Sequence, residues 1–270
     1  MIMEKKFELT DKFIINVFGI KLFQIKCTKS FKYAQKGDLG GYVEKEGNLD
    51  QENDAWVSGD AWVYGNAQVS GDAWVYGNAQ VYGNARVSGD AQVYGNAQVY
   101  GDAQVYGNAQ VSGDAWVSGD AQVSGNARVS GDAQVYGNAR VYGNAQVYGN
   151  AQVYGNAQVY GDARVSGDAQ VSGNARVSGN ARVSGDAQVY GDANIKNNNE
   201  HCGFDGFGSC NRHTHAYLTK EKKVEITCGC FRGSIEEFEK KVEETHSGTI
   251  YEKQYKAIIN VIKIKFGLTD

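Results

Sequence analysis

The sequence predicts a mainly β protein built on a parallel β-helix, with an N-terminal β-hairpin cap and a small C-terminal α+β cap. Three observations predict it. From Asp54 to Ile195 the chain repeats six residues, V-[S/Y]-G-[N/D]-A-[Q/R/W], with valine at every sixth position from Val57 to Val189 and Ile195 at the next step. Each hexad pairs Gly with Asn or Asp, the residues best suited to tight or left-handed backbone. The composition changes abruptly on either side of the tract, where Lys, Phe, Ile, His and Cys return.

A six-residue period fits neither a helix, whose faces recur at about 3.6 residues, nor a plain strand, which alternates every residue. It fits a short strand followed by a turn. Val, compact and β-branched, and Ala, four residues on, point inward. Gly with Asn/Asp forms or flanks each corner, and Ser/Tyr and Gln/Arg/Trp point outward.

These hexads resemble the hexapeptide repeats of left-handed parallel β-helices, in which an aliphatic residue is followed four positions later by a small one. Val57 with Ala61, Val63 with Ala67 and Val69 with Ala73 carry the resemblance. The chain departs from it in one respect: Gly59 lies two places after the aliphatic rather than one. The resemblance implies left-handed winding and three hexads per triangular coil, hence seven to eight regular coils. A right-handed or flattened solenoid is the alternative. With strands stacked at about 4.8 Å, the prism is roughly 35–40 Å long. Its interior must be narrow to pack Ala and Val without cavities. Each coil depends on its neighbours, and the two ends require caps.

Residues 1–42 form the N-terminal hairpin cap, with strands at Phe13-Ile14-Ile15 and Ile20–Ile25 around a turn at Asn16 to Gly19. Lys36 to Glu44 is glycine-rich and makes a close turn into the solenoid. It lacks the order of a phosphate loop, G-x-x-x-x-G-K-[S/T]. The solenoid is assigned to residues 43–199. Val43 and Leu49 begin a degenerate coil, and the eight-residue step from Leu49 to Val57 calls for a two-residue bulge near Glu52-Asn53.

Within the tract, variation is concentrated on outward positions. At three hexads per coil, one column reads Tyr64, Tyr82, Tyr100, Ser118, Tyr136, Tyr154, Ser172, Tyr190. Stacked tyrosines suit an interface, since they give large amphipathic contacts. They are also simply favoured on a pleated sheet. A second column begins with Trp56 and Trp74 and contains Arg128, Arg164 and Arg182. The tryptophan end suits a packed cap, and the arginine strip suits an anionic partner, with Asp162, Asp168 and Asp186 weakening its field.

Residues 200–270 form the C-terminal α+β domain. Ala216-Tyr217-Leu218 and Val224–Cys228 read as a hairpin about Lys220 to Lys222, with Cys228 to Phe231 extending its second strand. Ser234 and Glu237 make a capping box for a helix that Gly248 stops. Tyr251 to Ile264 forms a second helix. All four histidines and four of the five cysteines lie here. His213, His215, Cys228 and Cys230 are candidate ligands for a structural zinc, although C-x-C is not the usual knuckle spacing. Cys230 with His246 is the candidate nucleophilic pair. Buried thiols and hydrogen-bonded histidines are the alternative.

Net charge is −4, which argues against nonspecific nucleic-acid binding. No apolar run is long enough for a membrane span, and residues 1–25 lack a secretory pattern. Five cysteines, an odd number, fit a reduced protein of the cytoplasm, in a host cell if the gene is carried by a phage. The absence of threonine from the tract excludes an ordered ice-binding array.

The whole chain also resembles bacterial and phage proteins labelled as acyltransferase-type hexapeptide proteins, through Gly37-Asp38-Leu39-Gly40-Gly41-Tyr42, Gly229-Cys230-Phe231-Arg232-Gly233 and Glu236-Glu237-Phe238. Hexapeptide acyltransferases are often trimers that hold acyl-CoA between subunits beside a histidine. The resemblance carries no catalytic residue over, because no histidine precedes His201 and no loop interrupts the coils. The leading expectation is a non-enzymatic, phage or prophage scaffold or binding protein. It needs no cofactor and uses its outer faces and terminal domains for self-association, as a trimer, or to bind a host or phage protein. The alternatives are an acyltransferase-like enzyme with acyl-CoA in a subunit groove and a small-molecule-sequestering protein.

Overall fold

The computed structural model describes residues 4–268. The outermost residues of the two expected caps, 1–3 and 269–270, lie outside the described residues. The hexads form eight turns of a three-faced parallel β-solenoid, and the degenerate coil carrying Val43 and Leu49 before them brings it to about nine. Each hexad contributes a strand of only two residues, the valine and the residue before it. Strands pair in parallel with those eighteen residues away, Val57 with Val75 and Val93 with Val111. The repeat valines and alanines are buried in one continuous core. Larger aliphatics enter this core only at its ends, Leu49 opposite Val69 and Ile195 opposite Val177, while valine and alanine fill every turn between them.

The corners explain the remaining positions. Each repeat glycine has positive φ, +69° at Gly113, whereas the Asn or Asp that follows does not. The expectation of left-handed backbone therefore holds for the glycine alone. The Asn side chains run along the corner instead. Asn108 donates to Asn126 (3.3 Å), Asn126 to Asn144 (3.0 Å) and Asn144 to Asp162 (2.9 Å). The ladder stops at a carboxylate because an ionised Asp only accepts.

At the N-terminal end, strands β1 (Phe7–Ile15) and β2 (Lys21–Cys27) form the expected hairpin. Strand β3 (Leu39–Val43) joins it to the shaft, antiparallel to β2 and parallel to Trp62–Val63. β3 thus runs across the expected boundary at residue 42. Gly40 and Gly41 lie inside this strand rather than in a turn. A Cβ on Gly40 would stand 2.7 Å from Cζ2 of Trp56, so these glycines serve close packing. Val43 pairs with Val63 and Leu49 with Val69, an offset of twenty that becomes eighteen at Val57. The two extra residues lie in the bend at 51–54, where the bulge was expected. The tryptophan end is indeed packed. Phe31 meets Trp56 edge-on at 5.3 Å, and Tyr33 stacks on Trp74 at 4.9 Å. Lys6 Nζ donates to the carbonyls of Asn53 and Ala55, and burial lowers its pKa to about 8.

At the other end a four-stranded antiparallel sheet closes the core. Its strands are β4 (His201–Phe207), β5 (Arg212–Leu218), β6 (Val224–Cys228) and β7 (Phe231–Gly233). Tyr217 of β5 is fully buried against the last coil. Its hydroxyl donates to Glu225 (2.6 Å) and accepts from Tyr190 N–H (3.3 Å). The hairpin β5–β6 is the expected one. β4 is an additional strand, and Gly229, at φ +56°, ends β6 so that Phe231 starts a separate strand. Helix α1 (Ile235–His246) has the expected Ser234–Glu237 capping box. Helix α2 (Ile250–Phe266) is capped by Thr249 and ends on Gly267. No described helix is long and apolar enough to cross a membrane.

Candidate interaction surface

The residue before each valine points away from the core and differs systematically among the three faces. The face continuous with β3 carries Trp62, Gln80, Gln98, Trp116, Gln134, Gln152, Gln170 and Gln188. None is charged. The other two faces carry arginines at the same positions: Arg128, Arg164 and Arg182 on one, and Arg86, Arg140 and Arg176 on the other.

The expected tyrosine column follows the valines of the uncharged face. Tyr64 and Tyr82 stack at 5.0 Å, as do Tyr82 and Tyr100, and Tyr136 and Tyr154. The repeat spacing forces this geometry, since coils separated by about 4.8 Å put successive rings at stacking distance. Burial, reinforced by the neighbouring rings of Tyr64 and Tyr100, pushes Tyr82 up to about 12. Tyr190 is also pushed up to about 12, by burial and then by Tyr154. Its hydroxyl donates to Gln170 of the preceding coil (2.9 Å).

The N-terminal end of this column is already a packing surface. Leu22 of β2, Tyr42 of β3 and Tyr64 form a small outward-facing cluster, flanked by Ile14, Ile20, Trp62 and Tyr82. Further along, Ser118 interrupts the column between Tyr100 and Tyr136. Trp116 stands beside that gap, 43% exposed, and among the described residues no aromatic ring stacks on it. Sequence reasoning did not single out Trp116 as a contact residue. The available signal was its coincidence with Ser118, two positions on and therefore on the same side of a strand.

Arg128, Arg164 and Arg182 are exposed but lie on a different face from the tyrosine column. Arg164 and Arg182 are adjacent, and Gln146 separates them from Arg128. The expected binding residues thus form two separate surfaces.

The candidate zinc ligands do not converge. Thr214 pairs with Cys228 across β5 and β6, and its hydroxyl donates to the Cys228 sulfur (3.3 Å), on the helix side of the sheet. His213 and His215 therefore point the other way, toward the shaft. His215 is buried, with Nδ1 3.3 Å from the Gln188 carbonyl and Nε2 3.0 Å from Nδ1 of His201. Burial lowers His201 to about 4 and, with His201 adding to it, His215 to about 3. His213 bonds Asp205. Cys230 is exposed in the turn after Gly229. Among the described residues no three His, Cys, Asp or Glu side chains are grouped as metal ligands. Cys230 and His246 line one cavity, but no hydrogen bond joins them among the described residues.

This architecture defines a β-solenoid repeat protein. Comparison with protein families agrees: the YdcK beta solenoid repeat matches residues 79–95, 91–107, 103–119, 121–134, 133–149, 151–167, 157–173, 169–185 and 175–191. The matches lie within the regular coils and leave both caps outside. A comparison with curated proteins found no match.

Proposed function

We propose that the protein is a non-enzymatic scaffold whose rigid shaft self-associates, and docks protein partners, through its uncharged aromatic face. One observation carries this reading. The strand positions of that face are free of charge, while both other faces carry arginine. Depletion of charge with enrichment of Tyr and Trp is the compositional mark of an interface core. The cluster of Leu22, Tyr42 and Tyr64 supports it, because the chain already covers the first tyrosines with its own apolar side chains. Trp116 is the natural anchor of the uncovered part, since interface energy concentrates in Trp, Tyr and Arg. In this reading the shaft winds left-handed and three shafts pack with their aromatic faces inward, as the hexapeptide resemblance implies. A structural role in a phage or its host's cytoplasm fits such a part.

The test is the mass of the intact assembly by light scattering. The expected result is three times the chain mass of 29.3 kDa. Replacing Trp116 and Tyr136 with serine should reduce it to the monomer while leaving the far-ultraviolet circular dichroism unchanged. A wild-type monomer would sink the self-association. So would an assembly that survives these changes but is broken by Arg164→Glu on another face.

A further inference from the structure

A cavity of about 380 Å³ opens on the side of the C-terminal sheet away from the shaft, between the β6–β7 turn and helices α1 and α2. Its walls are aromatic. Phe231 and Phe238 lie 5.0 Å apart, Phe238 meets Tyr255 edge-on at 5.6 Å, and His246 lies 5.5 Å from Tyr255. Its charged lining is one-sided: Arg212, Arg232 and Lys241 border it, and no carboxylate does. That bias is unusual in a chain of net charge −4.

The three cations differ in their freedom. Arg232 is held by Glu225 at 2.6 Å, and Lys241 faces Glu244 at 3.6 Å. Among the described residues no carboxylate pairs with Arg212. Its side chain lies across Gly229. A Cβ there would stand 2.7 Å from both Cδ and Nη1 of Arg212, and the φ of +56° further disfavours a side chain. Glycine at this turn thus leaves the channel in which the guanidinium reaches the cavity mouth. Burial raises the Tyr255 phenol to about 12, so at neutral pH it is a neutral hydrogen-bond donor or acceptor rather than a competing anion.

We propose that this cavity binds a small organic anion, with its carboxylate or phosphate head on Arg212 and its flat apolar body against the wall formed by Phe231, Phe238 and Val242. A planar guanidinium binds either head through paired N–H donors. The volume falls in the range of small-ligand sites, and the combination of apolar walls with a few convergent polar groups is their usual composition. The site is independent of the aromatic face of the shaft, from which the sheet separates it.

Cys230 lines the cavity and is exposed, so it reports occupancy. The experiment measures carbamidomethylation of Cys230 in the full-length protein by peptide mass. Cys210, exposed but outside the cavity lining, is the internal reference. The probes are phenylacetate, phenyl phosphate and the neutral phenylacetamide, each with a parallel calorimetric titration. Phenylacetate or phenyl phosphate should slow labelling of Cys230 and leave Cys210 unchanged, and the tighter of the two identifies the head group. Phenylacetamide should bind roughly ten- to hundred-fold more weakly, the usual loss when a charge-assisted hydrogen bond is removed. Arg212→Gln should cause a similar loss, and Arg212→Lys should restore part of it. Both act on an exposed side chain, and circular dichroism checks their folding. Equal binding of the amide, undiminished binding by Arg212→Gln, or no protection by either anion at millimolar concentration would overturn the proposal.

Discussion

Replacing Gly125 with alanine should destabilise the shaft more than the same change at Gly185, although both glycines have nearly the same backbone conformation. Their φ angles are +67° and +66°, so each alanine carries the left-handed penalty of about 1–2 kcal/mol. Only Gly125 has a coil directly against it. A Cβ there would stand 3.0 Å from both the nitrogen and the oxygen of Gly143 and 3.3 Å from its Cα. That backbone cannot move aside, because the Gly143 carbonyl accepts from Asn126 N–H at 2.7 Å. At Gly185 a Cβ would meet nothing within 4 Å. Overpacking of a fixed neighbour costs about 1–3 kcal/mol, so Gly125→Ala should total about 2–5 kcal/mol against about 1–2 kcal/mol for Gly185→Ala. Equilibrium urea unfolding followed by circular dichroism measures both. Equal costs would refute the reasoning: the glycines would then be there for the turn alone, and the coil spacing would not depend on them.

Other outcomes follow from the same geometry. Tyr82→Ser removes a ring stacked on two others and the bond to Gln98 (3.2 Å), and should cost about 1–3 kcal/mol. Tyr106→Ser, at a 39% exposed tyrosine, should stay within about 0.5 kcal/mol in the same denaturation assay. His201 and His215 are held neutral by burial, so the unfolded chain takes up protons near 6.5 that the folded chain refuses until about 4 and 3. Their contribution is complete above about pH 6.5 and is lost as the pH falls below it, by about 1.4 kcal/mol per unit for each histidine. Hydrogen exchange of the last coil between pH 7 and 5 should register this loss, His201→Asn should roughly halve it, and a flat profile would contradict the assignment.

Much of the fold could be read from the chain because the repeat makes one local decision many times. Valine, alanine and glycine each have a single role per hexad, and the eighteen-residue register follows from three corners. The Ser234 cap and the amphipathic face of α1 are equally local. What escaped sequence reasoning depends on non-local pairing. Gly203 and Gly206 disguised β4, a strand held by its partner β5 rather than by propensity. The zinc candidates illustrate the limit. Spacing shows that His213 and His215 share a side, and that Cys228 and Cys230 do so if extended. Only the pairing of Thr214 with Cys228 decides that the histidines and Cys228 face opposite ways, and Gly229 removes Cys230 from the strand altogether. The tyrosine column was legible, whereas its uncharged background required sorting the outward residues by face.

The uniformity of the shaft also separates distance from orientation. Adding or removing one whole coil moves the terminal caps apart or together by about 4.8 Å and keeps each face in its eighteen-residue register. Adding a single hexad instead rotates the C-terminal cap by roughly a third of a revolution. A tract of near-identical hexads can therefore change length through unequal genetic exchange and still present both ends in phase, provided the change is a multiple of eighteen residues. The length of the shaft then has discrete settings, in which the distance between the two caps can change without redesigning either cap.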